Sequence, residues 1–291
     1  MSQKIKVHGV LLLVGLIYGA TYVIAKAAMP EYILPFGFIL VRVFSATVLF
    51  WIIHALFIKE KIRQLRDYRR LFVCSIFGIS ANMLAFFKGL SLTNTINASL
   101  IMTLVPVVVL VASYFILKEK ITKIRLAGVL IGALGAILLI AQDGVSFGNS
   151  QFLGDMFIFL NASLYGTYLV IVRPLMKEYQ TLTVVKWVFT FGLIVVLPFG
   201  FTEFQQVQWH SLPTEIWWSI GYVVIGTTFL TYFLNAWALN HVSPSVVGAY
   251  VYLQPVFATF IAVTFVNETL DWQKGAYSLL IFLGVYLVGK K

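Results

Sequence analysis

SLIMTLVPVVVLVASYFILKEKIT, residues 99–122, and GAYVYLQPVFATFIAVTFVNETLD, residues 248–271, align without a gap. Pro106 falls on Pro255, Glu119 on Glu268 and, further on, Gly135 on Gly284, at a constant offset of 149 residues. One pattern repeated at one offset marks an internal duplication, so two copies of a single unit are expected, at 1–145 and 150–291. Each copy of the stretch reads as an apolar helix interrupted by proline and closed by glutamate.

Composition identifies the solvent. Hydrophobic residues make up 60% of the chain, charged residues 11%, and the mean hydropathy is +0.92. A soluble domain carries about a quarter of its residues as charges, so this chain belongs in a bilayer. Charge-poor windows divide it into ten crossings: 8–29, 35–57, 71–91, 95–117, 124–141, 153–172, 182–202, 214–239, 244–266 and 274–289. A spanning helix needs roughly 17–25 residues, and the charge-free run from Ile216 to Asn267 holds two, divided at Asn240–Pro244. The runs are continuous, not alternating, which excludes a barrel. The expected fold is therefore all-α, ten transmembrane helices as two five-helix repeats. With five crossings in each copy the second is inverted relative to the first, an arrangement typical of secondary transporters.

Basic residues collect in the loops that face the cytoplasm. With the N-terminus inside, Lys4, Lys6, the Lys59–Arg70 loop, Lys118–Arg125, Arg173, Lys177, Lys186, Lys290 and Lys291 share that side, and the other carries Glu31, Asp143, Asp155, Glu203, Glu215, Glu268 and Asp271, with Lys274 as the exception. Both termini are thus expected in the cytoplasm of a bacterial inner membrane. The net charge of +10 is a topological label facing anionic lipid headgroups, and its dispersal over short loops argues against nucleic acid. Cys74 is alone, and the four histidines lack metal-ligand spacing, so neither a disulfide nor a metal site is read here. No Gly-rich phosphate loop with its lysine occurs, which argues against ATP hydrolysis. No cofactor is implied.

The chain resembles the EamA-type transporters of the drug/metabolite transporter superfamily over nearly its whole length. The resemblance rests on the two five-helix repeats, on Tyr18-Gly19 in helix 1 answered by Tyr165-Gly166 in helix 6, on Arg42 in helix 2, and above all on the repeated Pro-x12-Glu. In both copies that segment feeds a Gly-rich helix, residues 117–139 and 266–288. Members often carry Trp-Gly where this chain has Tyr18-Gly19, a change of aromatic that bears on what a cavity accepts. The resemblance implies a carrier for metabolites, often outward, acting as a single ten-helix unit, with the substrate open.

Residues that are costly inside a bilayer identify the candidate site. Arg42, roughly 10 Å below the outer end of its helix, has no intramembrane Asp or Glu to neutralise it, so backbone carbonyls, a helix C-terminus or a ligand's negative group must serve, and a substrate carboxylate or phosphate is the partner expected, with Lys88 assisting. Lys88, like Lys26, lies near a helix end and is also placed to snorkel. Tyr18, Tyr22, Asn82, Thr103, Asn161, Tyr165, Asn235, Tyr250 and Gln254 are candidates for the wall of an amphipathic pocket suited to amino acids, aromatic metabolites or small drug-like compounds, or else serve as interhelical glue. Pro106 and Pro255 are expected to kink their helices at mid-membrane, freeing carbonyls that line a pathway. Missing buried carboxylates argue against a carboxylate-based proton relay. The function expected is export of small metabolites by alternating access. A lipid or lipid-precursor flippase of the same fold is the alternative, and an enzyme is not expected because no acid, base and nucleophile cluster at one depth.

Overall fold

The computed structural model describes residues 3–29, 31–93, 98, 101–141, 149–265 and 272–290. Among them the chain forms helices without strands. In chain order, α1 is Gln3–Ala28, α2 Pro35–Phe57, α3 Leu65–Leu92, α4 Val105–Leu117, α5 Lys123–Ala141, α6 Asn149–Ile171, α7 Thr181–Gln206 and α8 Thr214–Leu239. α9 joins Pro244–Ala249, a 3₁₀ turn at Tyr250–Tyr252 and Leu253–Phe265, and α10 is Trp272–Gly289. By length and composition five of these helices are long and apolar enough to cross a membrane, and among the described residues Ile5–Thr21 of α1, Val105–Leu117 and Gly275–Gly289 of α10 are shorter apolar stretches. The ten helices form two inverted repeats of five.

The two copies interlock rather than sit side by side. α2 and α7 run antiparallel along their length: Gly37 meets the backbone of Glu203 and Phe204, and Gly200 meets the Phe36 carbonyl. α5 and α10 form the second such pair, one helix from each copy, and there a missing side chain is decisive. A Cβ on Gly284 would lie 2.6 Å from the Gly132 backbone, and one on Gly128 2.9 Å from the Gly284 carbonyl. Close backbone approach replaces the hydrophobic drive that lipid cannot supply, which explains why Gly135 and Gly284 carry the repeat signature. α1 packs on α8 and α9, and α6 packs correspondingly on α3 and α4. Phe50, Phe189 and Phe229 stack in the core where α2, α7 and α8 meet, with ring centroids 4.6–5.0 Å apart around Phe50.

Irregular backbone recurs in both copies. α3 carries a π-helical segment at Ile76–Ser80 and α8 one at Val223–Leu230. Each contains a hydroxyl that donates to the carbonyl five residues back, Ser80 to Ser75 at 3.3 Å and Thr228 to Val223 at 2.7 Å. Pro106 and Pro255 each lie in the first turn of a helical segment, the former after a turn at 103–104, the latter after the 3₁₀ turn at Tyr250–Tyr252. The interruption thus precedes the proline, where its missing N–H is harmless. α3 begins at Leu65, earlier than hydropathy indicates, because LRDYRRLF forms an amphipathic start of about two turns.

One end of the bundle gathers the basic residues and is tied across the repeats. The Tyr179 hydroxyl donates to Asp67 at 2.6 Å, the Gln180 amide to Glu60 at 2.8 Å, and Arg70 to Glu178 at 3.1 Å. Burial and the bond to Asp67 raise the Tyr179 phenol above its ordinary value. Glu119 pairs with Arg173 and, at 3.8 Å, with Arg125. Its counterpart Glu268 lies outside the described residues. At the opposite end Glu203 caps α2 by accepting from the amides of Phe36 and Gly37 at 2.6 and 2.9 Å, so the charge sits on a helix N-terminus.

Candidate functional site

A cavity of about 110 Å³ opens between the repeats. Its wall is built by Tyr18, Thr21 and Ala25 of α1, Arg42 of α2, Asn82, Met83, Phe86, Phe87 and Leu90 of α3, Met102 before α4, Asn161 and Tyr165 of α6, Thr227 and Tyr232 of α8, and Gln254 of α9. On α1, α2 and α3 these residues occupy the half of the helix remote from the basic end. On α6 and α8, which run toward the basic end, Asn161 and Thr227 lie at mid-helix and Tyr165 and Tyr232 beyond it, so the wall reaches the middle of the bundle.

Among the described residues Arg42 is the only charged one on that wall, and it is buried. Its Nε donates to the Thr228 hydroxyl at 3.0 Å, and its guanidinium carbon lies 5.2 Å from the centroid of the Phe87 ring. Among the described residues Arg42 has no carboxylate partner. Thr228 is itself the hydroxyl that satisfies the π segment of α8, so the cation is docked on irregular backbone from the other repeat. α3 shows the reciprocal tie: Tyr232 of α8 donates to the Gly78 carbonyl within the α3 π segment at 2.9 Å. π segments of this kind are frequent at functional sites because they re-aim side chains without ending the helix.

Two amides clamp α3 to α6. Asn82 donates to the Asn161 backbone carbonyl at 3.2 Å, and Asn161 donates to that of Asn82 at 2.9 Å. The exchange leaves the Asn161 side-chain oxygen buried without a donor. Tyr165 accepts from Asn235 at 3.3 Å, and Tyr18 shares the wall with it. These polar groups share the wall with the apolar side chains of Met83, Phe86, Phe87, Leu90 and Met102.

Of the residues expected at the site, Arg42, Tyr18, Asn82, Asn161, Tyr165 and Gln254 share this wall. Asn235 stands behind it, holding Tyr165. Thr103 is buried in the turn before α4 and is not on the wall. Tyr250 lies elsewhere, toward the start of α1, where its hydroxyl and His8 Nδ1 are 2.6 Å apart. Lys88 is exposed and points away from the cavity that its neighbour Phe87 lines. The Tyr22 side chain lies outside the described residues. Tyr232 and Thr228 were missed by sequence reasoning. A tyrosine at mid-depth in the charge-free run from Ile216 to Asn267 was the available signal for the first, and nothing in the sequence announces the second.

Comparison with known proteins fits this architecture. The sequence profile of the EamA-like transporter family matches residues 6–141 and again 152–290. An uncharacterized transporter of Archaeoglobus fulgidus is 25% identical over 292 residues, covering 98% of each chain. The uncharacterized transporter YoaV of Bacillus subtilis is 23% identical over 94% of this chain and 93% of its own. A WAT1-related protein of Arabidopsis thaliana is 24% identical over 95% of this chain and 83% of its own. A crystal structure titled only as that of a protein superposes with a TM-score of 0.78 at 16% identity, covering 97% of this chain and 96% of the other, a likeness of fold. The chain belongs to the EamA-like transporter family and is a multi-pass membrane transporter.

Proposed function

We propose that this chain exports small organic metabolites bearing an anionic group, such as organic anions or amino acids, by alternating access through the cavity around Arg42. One observation carries the reading. A buried guanidinium, held from one side by Thr228 and Phe87, stands on a cavity wall built by both repeats with no described carboxylate beside it. Burying an unpaired cation costs several kcal/mol, and a negative group entering the cavity offsets that cost. Asn82, Asn161, Tyr165 and Gln254 then orient the polar part of the solute, and Met83, Phe86, Phe87, Leu90 and Met102 take its apolar part.

The halves 1–145 and 150–291 are the bodies that rock. The basic end faces the cytoplasm of the bacterial inner membrane, its loops against anionic headgroups, and the ties at Glu60, Asp67 and Glu119 hold that end shut. The conformation is then outward-facing, and the unit works as a monomer. Uptake of labelled amino acids and organic anions into proteoliposomes tests the proposal. Saturable uptake absent from empty liposomes is expected. If only lipids move, the flippase alternative replaces it.

A further inference from the structure

A second buried cation, outside the cavity, has an unusual neighbour. Lys186 of α7 is 5% exposed and His54 of α2 is 6% exposed. The Lys186 ammonium nitrogen lies 3.2 and 3.4 Å from the two imidazole nitrogens. The ring of Trp51 covers it with the centroid 4.2 Å away, and that of Trp187 lies at 5.5 Å. Two bases therefore share one aromatic box at the basic end of the bundle.

The groups around the pair come from each element packed there. α2 supplies Trp51, and α7 supplies Trp187, Thr190 and Thr183, whose hydroxyl lies 3.1 Å from His54 Nε2. α3 supplies Tyr68, whose ring stands against Trp187 with centroids 4.9 Å apart. Glu60, on the loop after α2, is the acidic group that acts on His54, and its carboxylate already accepts from the Gln180 amide at the start of α7. The pair thus sits beside the Glu60–Gln180 and Asp67–Tyr179 ties between the repeats.

We propose that His54 is a proton-binding site that sets how tightly the basic end closes. With a neutral imidazole, the ring and Trp51 share the Lys186 ammonium by cation–π and dipolar attraction. A proton on His54 places like charges 3.2 Å apart in a poorly solvated box. Relief comes from separating α2 from α7, or from drawing Glu60 off the Gln180 amide toward the new cation. Either movement loosens the ties across the repeats. The carrier then answers to protons without an intramembrane carboxylate, and imidazole is the side chain suited to that range.

The test uses the full chain in nanodiscs and needs no substrate, so its failure is separable from a failure of the transport reading. Hydrogen exchange is followed in residues 58–64 and 179–184 at about pH 7.5 and about pH 5, on either side of the ordinary imidazole value, and corrected for the chemical rate. Exchange in both segments should rise at least about fivefold at the lower pH, the small end of ordinary coupling between sites. His54→Gln should abolish the rise, and Lys186→Met, which removes the second cation, should blunt it. A wild type without the rise, or a rise that survives His54→Gln, overturns the proposal. Should His54→Gln fail to fold, an undiminished rise in Lys186→Met overturns it equally.

Discussion

Arg42 and Lys186 are the same anomaly resolved in two ways. Both are buried cations near the N-terminal ends of the paired helices α2 and α7, and neither has a carboxylate partner among the described residues. Lys186 is enclosed by His54, Trp51 and Trp187 and is sheltered by protein. Arg42 is held on one side by Thr228 and Phe87 and otherwise faces a cavity. The contrast separates a cation enclosed by the fold from one left on a cavity wall, where the proposed substrate would meet it. A lysine suits the first because a compact ammonium fits an aromatic box. An arginine suits the second because its planar fork can hold Thr228 and still present donors to a carboxylate or phosphate.

Four substitutions break or sharpen that contrast. Arg42→Gln removes the charge-assisted contacts, each worth about 1.5–3 kcal/mol, so saturable uptake of anionic solutes should fall at least about tenfold. Thr228→Val keeps the shape but leaves both the Arg42 Nε and the Val223 carbonyl without their partner. A loss of about 1–3 kcal/mol in denaturant or thermal stability is expected, with weakened uptake. Lys186→Met replaces a buried cation with an apolar chain of similar length, and such replacements are often neutral or stabilising. Its melting temperature should stay level or rise, whereas a marked fall would mean that Lys186 is not self-sufficient. Tyr232→Phe removes one hydrogen bond to Gly78 at about 0.5–1.5 kcal/mol, the smallest effect, visible as a modest shift in melting temperature.

Much of the architecture was legible because it depends on composition and period. The duplicated Pro-x12-Glu fixed the repeat, hydropathy fixed the crossings, and the cost of burying charge singled out Arg42. Rotational phase was not legible. Helices apolar all round carry no marked face, so depth alone cannot say which side a polar residue takes. Lys88 illustrates this: it follows Phe87, and one residue turns a helix by about 100°, enough to send it out of the cavity. Tyr250 sits at a plausible depth yet reaches His8 instead. The π segments were invisible for a different reason. Their extra residue is accommodated by Ser80 and Thr228 bonding back to the chain, and a hydroxyl in a transmembrane helix reads the same with or without that role. The Lys186–His54 box needed knowledge that α2 and α7 run side by side, which the duplication alone does not give.

The most direct test of Arg42 as the substrate's anchor is saturable proteoliposome uptake of labelled organic anions and amino acids by the wild type, Arg42→Lys and Arg42→Gln at equal reconstitution. The account predicts uptake by the wild type, partial uptake with lysine and a loss of at least about tenfold with glutamine. Uptake by Arg42→Gln equal to the wild type would contradict it.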